Sequence, residues 1–168
     1  AFKMPERKNP DYYVADVLSD ALGRDKSSRL YKRLKKELEL VSEVSAYITG
    51  SLDEGLLIIS GRLSNGVSFE QLDEELWKIL NDLQRHKIGE DELKRLMIKI
   101  RTAKEFQEQG LLNRAMNLCL FELLGDANGI NEEALIYEKI TSGDLLRISR
   151  QILRKTNCSL LKVQAVKK

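Results

Sequence analysis

Between Leu38 and Val44 the hydrophobic period of this chain changes from that of a helix to that of a strand, and no other feature restricts the fold as much. Leu30, Leu34 and Leu38 recur at helical spacing, and Ser27 or Ser28 can cap the helix that carries them. Val44, Ala46 and Ile48 then alternate with Glu43, Ser45, Tyr47 and Thr49, the pattern of a strand with one buried face. A second apolar run at 56–63 follows Gly50-Ser51-Leu52-Asp53-Glu54-Gly55, a connection of hairpin length that makes the two strands antiparallel.

Around this hairpin the chain is mostly helical. Residues 1–4 read as a strand stub ended by Pro5, and Pro10 suits the first turn of a helix. Val14, Val17, Leu18, Ala21 and Leu22 keep helical spacing, with Gly23 as the expected stop. Ser68 caps a helix whose apolar face carries Phe69, Leu72, Leu76, Ile79, Leu80 and Leu83, with Trp77 as a packing residue. After Lys87-Ile88-Gly89 a long helical pattern spans 91–124 and includes Leu93, Leu96, Ile100, Phe106, Leu112 and Met116; Gly110 marks a bend in it. Gly125-Asp126-Ala127-Asn128-Gly129 is a turn, and Asn131 is the expected cap of a short helix at 132–139. Thr141-Ser142-Gly143-Asp144 resembles a capping box opening a last helix, and 158–166 reads as a final strand. Helices segregated from an antiparallel sheet make the fold class α+β. Three or four strands are few for so many helices, so a further strand is expected upstream of Ala1.

Composition bounds the rest. At 168 residues the chain is a single domain spanning 1–168, and 42% hydrophobic with 32% charged residues places it outside the disordered class. The longest apolar runs, 56–59 and 118–121, are too short to span a membrane. The opening Ala-Phe-Lys-Met shows no signal peptide, and the sequence reads as an excised part of a longer, soluble protein; it leaves the compartment open. Cys119 and Cys158, both in apolar surroundings, are expected to be buried reduced thiols. A net charge of +2 is too balanced to imply a polyanionic partner.

Chemistry-bearing patterns are sparse. The one histidine, His86, falls in the last turn of a helix, where the dipole favours it as a surface residue, and no nucleophile accompanies it. Arg29, Lys32, Arg33 and Lys36 share a helix face, and 24–37 holds seven basic residues against two acidic ones. That face is either a solvated exterior or a surface for an acidic partner. No interleaved aromatic residues support nucleic-acid binding. Lys35 stands apart, at the edge of the apolar stripe, with Ser42 seven residues further on where the helix has given way to the strand.

The run at 23–50, GRDKSSRLYKRLKKELELVSEVSAYITG, resembles one found in M16 zinc peptidases, the insulinase, pitrilysin and mitochondrial processing peptidase-like family. There a pattern close to L-G-x-x-x-S-S-R-L-x-x-x-L-R-E-x-x-G-L-x-Y opens the C-terminal domain, which carries no zinc. Asn9-Pro10-Asp11-Tyr12-Tyr13 through Leu22-Gly23, Ile88-Gly89-Glu90-Asp91-Glu92-Leu93, Leu124-Gly125-Asp126 and Ile140-Thr141-Ser142-Gly143-Asp144-Leu145 are similar to further family motifs, in order. The resemblance implies a LuxS/MPP-like metallopeptidase domain, an antiparallel sheet with helices packed on one side. It also implies a chamber in which an extended peptide is cleaved, with this chain forming part of the wall. The family's H-x-x-E-H motif needs two histidines, so a chain with one cannot supply it. No catalytic and no metal residue is therefore expected here, and no cofactor; zinc is expected in the partner domain of a parent that is a zinc-dependent metalloendopeptidase. The implied partners are an N-terminal zinc-binding M16 domain or second subunit and a peptide substrate, with no nucleic acid and no membrane. Where the family often has an arginine and a tyrosine holding the substrate backbone, this chain has Lys35 and Ser42, and Glu39 replaces the helix-ending glycine. Lys35 and Ser42 are the candidate substrate contacts. Those departures also suit an alternative, an inactive interaction or scaffold module that processes no peptide.

Overall fold

The computed structural model describes residues 1–50 and 52–164. Three antiparallel strands form its sheet: β1 (Phe2–Met4), β2 (Val41–Ile48) and β3 (Gly55–Leu63), in the order β1-β3-β2. The register sets Ala46 opposite Ile59 and Phe2 opposite Leu57, with an irregularity between Val41 and Glu43. Phe2, Met4, Ala46 and Leu57 therefore project into the core, while Lys3, Tyr47 and Leu56 on the other face are exposed. The fold is α+β, with the helices against the inner face.

Helix α1 (Asp11–Gly23) lies across β2. It ends at Gly23, where the sequence placed the stop, but the glycine is there for another reason. Gly23 is part of the helix, and a Cβ there would stand 2.3 Å from the Ala46 amide nitrogen. The glycine is required by close approach of helix and strand backbones, a demand the one-dimensional pattern does not distinguish from a stop signal.

The next helix also departs from expectation. Arg29 and Leu30 begin in α form, but Tyr31–Glu37 is π-helical, with the Leu38 amide bonded to the Arg33 carbonyl at 3.1 Å. The wider turn lets the apolar stripe drift: Leu30 and Leu34 are buried, Leu38 only half so. Nor does either serine cap the helix by accepting an amide. Ser28 Oγ donates to the Asp25 carbonyl, and the Asp25 carboxylate accepts the Ser27 amide.

Helices α2 (Phe69–Arg85) and α6 (Ser142–Ile152) open with reciprocal capping boxes, Ser68 with Gln71 and Thr141 with Asp144. Leu80, Leu83, Leu145, Ile148 and Ile152 pack with Leu18 and Leu22 in one aliphatic core. Trp77 meets Phe2 edge-on at 6.2 Å between ring centroids.

The expected long helix is two, α3 (Glu90–Glu108) and α4 (Leu111–Leu124), parted at Gln109 and Gly110. Helix α5 (Gly129–Glu138) starts before Asn131, which bonds Asn128 Oδ1 and caps nothing. The Asp126 carboxylate accepts the Asn128 amide within the expected turn, and the helix starts at Gly129, earlier than the expected 132. Contrary to two buried thiols, Cys119 is exposed, because α4 has apolar residues on both faces and covers only one, and Cys158 is half-buried against the core.

After a 3₁₀ turn (Lys155–Asn157) the expected final strand shrinks to a bridge between Cys158 and Phe2 and a reciprocal backbone pair between Ser159 and Ala1. Antiparallel to β1, the segment passes Ala1 within one residue and meets no further backbone among the described residues. Positions 165 and 166 of that expected strand lie outside them.

Candidate functional site

The π-helical turn, the bend at 38–40 and the start of β2 form the region to which the sequence assigned function. Glu39 sits in the bend with φ of 51°, the left-handed region that glycine occupies without penalty. Around it the Leu40 amide reaches back to the Leu34 carbonyl at 2.8 Å, one residue further than a Schellman wrap. A π-helix followed by a strained cap holds Lys35 and the first residues of β2 in one rigid stretch of chain. Among the described strands β2 has β3 on one side only, so its other edge is unpaired there.

Lys35 is half-buried, its Nζ 5.3 Å from the centre of the Tyr31 ring. Ser42 is exposed on β2, and its Oγ donates to the Arg62 carbonyl at 3.3 Å. The two residues therefore have separate contacts, Lys35 on its own helix and Ser42 on the neighbouring strand.

The basic face is partly spent inside the fold. Arg29 forks onto Glu92 through Nε and a terminal nitrogen, at 3.1 and 2.9 Å, and bonds Asp82 at 2.9 Å. It clasps the π-helix to α2 and α3, a role hidden in sequence because both acidic partners lie more than fifty residues away. Arg33 bonds Glu37 and Glu75, while Lys32 and Lys36 are exposed.

Beside this clasp is a cleft of about 220 Å³ between α1, the π-helix and α3, lined by Asp20, Ser28, Arg29, Lys32, Glu92 and Lys99. Lys99 bridges Asp25 and Ser27 at its rim. Burial pushes Asp25 up, but the bonds from Lys99 and Ser27 outweigh it and bring the carboxyl to about 2. Asp20 behaves oppositely: burial, with the Asp16 charge one turn away, lifts it to about 6 against the pull of Arg24. These charges are answered within the fold. His86 is exposed at the C-cap of α2, 2.8 Å from Asp82, as the dipole argument expected. Among the described residues no three His, Cys, Asp or Glu side chains are grouped so as to hold a metal ion.

Sequence reasoning passed over a second polar constellation. Arg7, in the β1–α1 connection, is half-buried as a residue, with its side chain only 10% exposed and its guanidinium 4.5 Å from the Tyr12 ring centre and 5.2 Å from that of Tyr13. It donates to Glu133 at 2.6 Å, and Lys104 does the same from the other side. Tyr137 closes the cluster by donating to Asp16 at 2.6 Å; burial and that carboxylate hold the phenol far above its ordinary range. The cluster ties α3 and α5 to α1.

Residues 1–100 match the model of a protein family described as the peptidase M16 inactive domain. The chain is 23% identical over 155 residues to the zinc protease PqqE of Helicobacter pylori, covering 92% of this chain and 35% of that protein. It thus spans about a third of the length of the curated relative it matches. In structure it superposes on a protease from Helicobacter pylori with a TM-score of 0.86, at 22% identity, over 93% of this chain and 38% of that one. The inactive peptidase domain of a Bordetella parapertussis protein gives a TM-score of 0.84 at 22% identity, over 93% of this chain and 85% of the other.

Proposed function

Because the chain belongs to the family of peptidase M16 inactive domains, we propose that it is one domain of a longer zinc metallopeptidase, forming a wall of the peptide-binding chamber and pairing with a zinc-carrying domain or subunit. The observation that carries the reading is a family match over 1–100 in a chain with a single histidine. A zinc-peptidase activity in such a protein needs a metal site from elsewhere.

On this reading Lys35 and Ser42 face the substrate backbone. The π-helical setting of Lys35 supports it, since π-turns recur at functional sites. Lysine offers a point charge where the family often has a planar fork, so a single carbonyl or a terminal carboxylate is the group it suits. A second reading, a scaffold without peptide processing, is favoured by Ser42, whose hydroxyl is turned to the Arg62 carbonyl.

Zinc content and peptide cleavage of the full-length gene product test the proposal. The expected result is zinc held outside these 168 residues and cleavage that chelation abolishes. A full-length product with neither an H-x-x-E-H motif nor bound zinc, and with no separate zinc-carrying partner, would sink the peptidase reading. Lys35→Ala with Ser42→Ala then separates the two readings. A several-fold rise in KM supports substrate contact; unchanged kcat and KM support the scaffold.

A further inference from the structure

Helix α4 is apolar on two faces, and the fold uses one of them. Its inner side is anchored by Phe121, the single buried residue of the helix. On its outer side Leu112, Met116, Cys119 and Leu123 recur at i, i+4, i+7 and i+11, the spacing that marks a helix face in contact with another element. Yet Leu112 is 72% exposed, Met116 62% and Leu123 66%. At the α3–α4 corner Leu111 and Phe106 are also exposed, at 86% and 66%. Isolated apolar side chains on a surface are ordinary, but a continuous stripe along a whole helix is the mark of an interface.

From this stripe we infer that the outer face of α4 is the seat of the second M16-type domain, which lays a helix with an apolar face against Leu112, Met116, Cys119 and Leu123. The inference rests on the domain pairing proposed above and names the surface that the pairing uses. Three features select this occupant. Arg114 and Glu122 are the sole charged residues of α4, so the strip offers nothing to nucleic acid or to an acidic peptide. A lipid surface would call for lysines and arginines flanking the apolar face, and α4 contributes one arginine. A stable protein interface takes about 800 Å² per partner, and the apolar strip of this fourteen-residue helix, about 21 Å long, supplies the dry centre of such an interface, with the remaining area drawn from the elements beside it. The curated relative is nearly three times as long as the matched region, so a second folded unit in one chain would meet α4 at high effective concentration.

Cys119 lies within the stripe and reports on it. In the full-length gene product, maleimide labelling of Cys119, followed by mass spectrometry of its peptide, is expected to be at least tenfold slower than in urea-unfolded protein. Leu112→Asp with Met116→Asp should restore the fast rate. If Cys119 labels at the unfolded rate while the two domains stay together after the linker is nicked, the α4 inference falls and the pairing stands. If the nicked domains separate at every concentration, the pairing falls and takes this inference with it. Protection that vanishes on dilution together with a dimer mass would assign the face to a second copy of the chain. Protection appearing only with phosphatidylcholine vesicles would assign it to lipid, and either result overturns the proposal.

Discussion

Helices α1 and α4 have thirteen and fourteen residues and are both rich in apolar side chains, yet α1 buries eleven residues and α4 buries one. The difference lies in what converges on each. The sheet, α3, α5 and α6 all pack on α1, whereas α4 rests mainly on α3 and α5, with the Arg7 guanidinium 6.0 Å from its Phe121 ring. Apolar content states how much surface a helix would withdraw from water; only its neighbours decide whether it does. The chain thus has a dry body built on α1 and an arm of α3, α4 and α5. The two are joined through the charged and aromatic cluster around Arg7 and Glu133, through Leu96 and Ile100 of α3 in the common core, and through Arg29 on Glu92.

The widest gap between the helices is expected for equivalent truncations. Leu22→Ala in α1 should destabilise the chain by about 3 kcal/mol, whereas Leu112→Ala in α4 should change it by less than about 0.5 kcal/mol, measured by urea unfolding. A cost above about 1 kcal/mol at Leu112 would mean that α4 is covered within this chain, and the comparison would break. At the joint, Arg7→Met should cost about 2 kcal/mol, below the usual toll for orphaning a buried carboxylate because Lys104 still reaches Glu133. Thermal unfolding of Arg7→Met and Lys104→Met checks this, and an equal or larger loss at Lys104 would move the joint away from Arg7.

Titration probes the body from within. Asp20 has its folded-state pKa raised to about 6 from 3.8. The folded state therefore holds the proton more tightly, and this group adds stability as pH falls through 6, with the gain complete below the unfolded value. Between pH 7 and pH 5 the gain is about 1 kcal/mol. Asp20→Asn should flatten that part of the stability–pH curve, and an unchanged slope would contradict burial of the carboxyl. A stabilising effect is expected outside both helices. Glu39→Gly relieves the left-handed backbone and should raise stability by up to about 1 kcal/mol, less what glycine adds to the entropy of the unfolded chain.

The parts of the fold legible in sequence were those written in local patterns. The switch of period after Leu38 located the hairpin, and the alternation of Val44, Ala46 and Ile48 assigned its inner face correctly. Ser68 and Thr141 announced their helices because a capping box is complete within four residues. What was misread depended on distant partners. Gly23 is dictated by the Ala46 backbone, and Arg29 by acids on α2 and α3. The exposure of Cys119 follows from what α4 fails to meet. For the candidate site, the sequence singled out Lys35 and Ser42, but the π-helical turn that presents Lys35 has no signature in a stripe of leucines spaced for an α-helix. The Arg7 cluster left no trace either, since its members are spread over 130 residues.

The edge-on contact of Trp77 with Phe2 places the chain's sole tryptophan at the junction of β1 and α2, with Lys155 5.4 Å above its ring. Its emission is therefore a probe of the body alone, while far-ultraviolet circular dichroism weighs every helix, including the three of the arm. Coincident denaturation curves by the two signals would make body and arm a single cooperative unit; a dichroism curve that leads the fluorescence would make the arm a separate foldon. One native side chain thus suffices to measure how firmly Arg7 and Glu133 couple the two halves of the molecule.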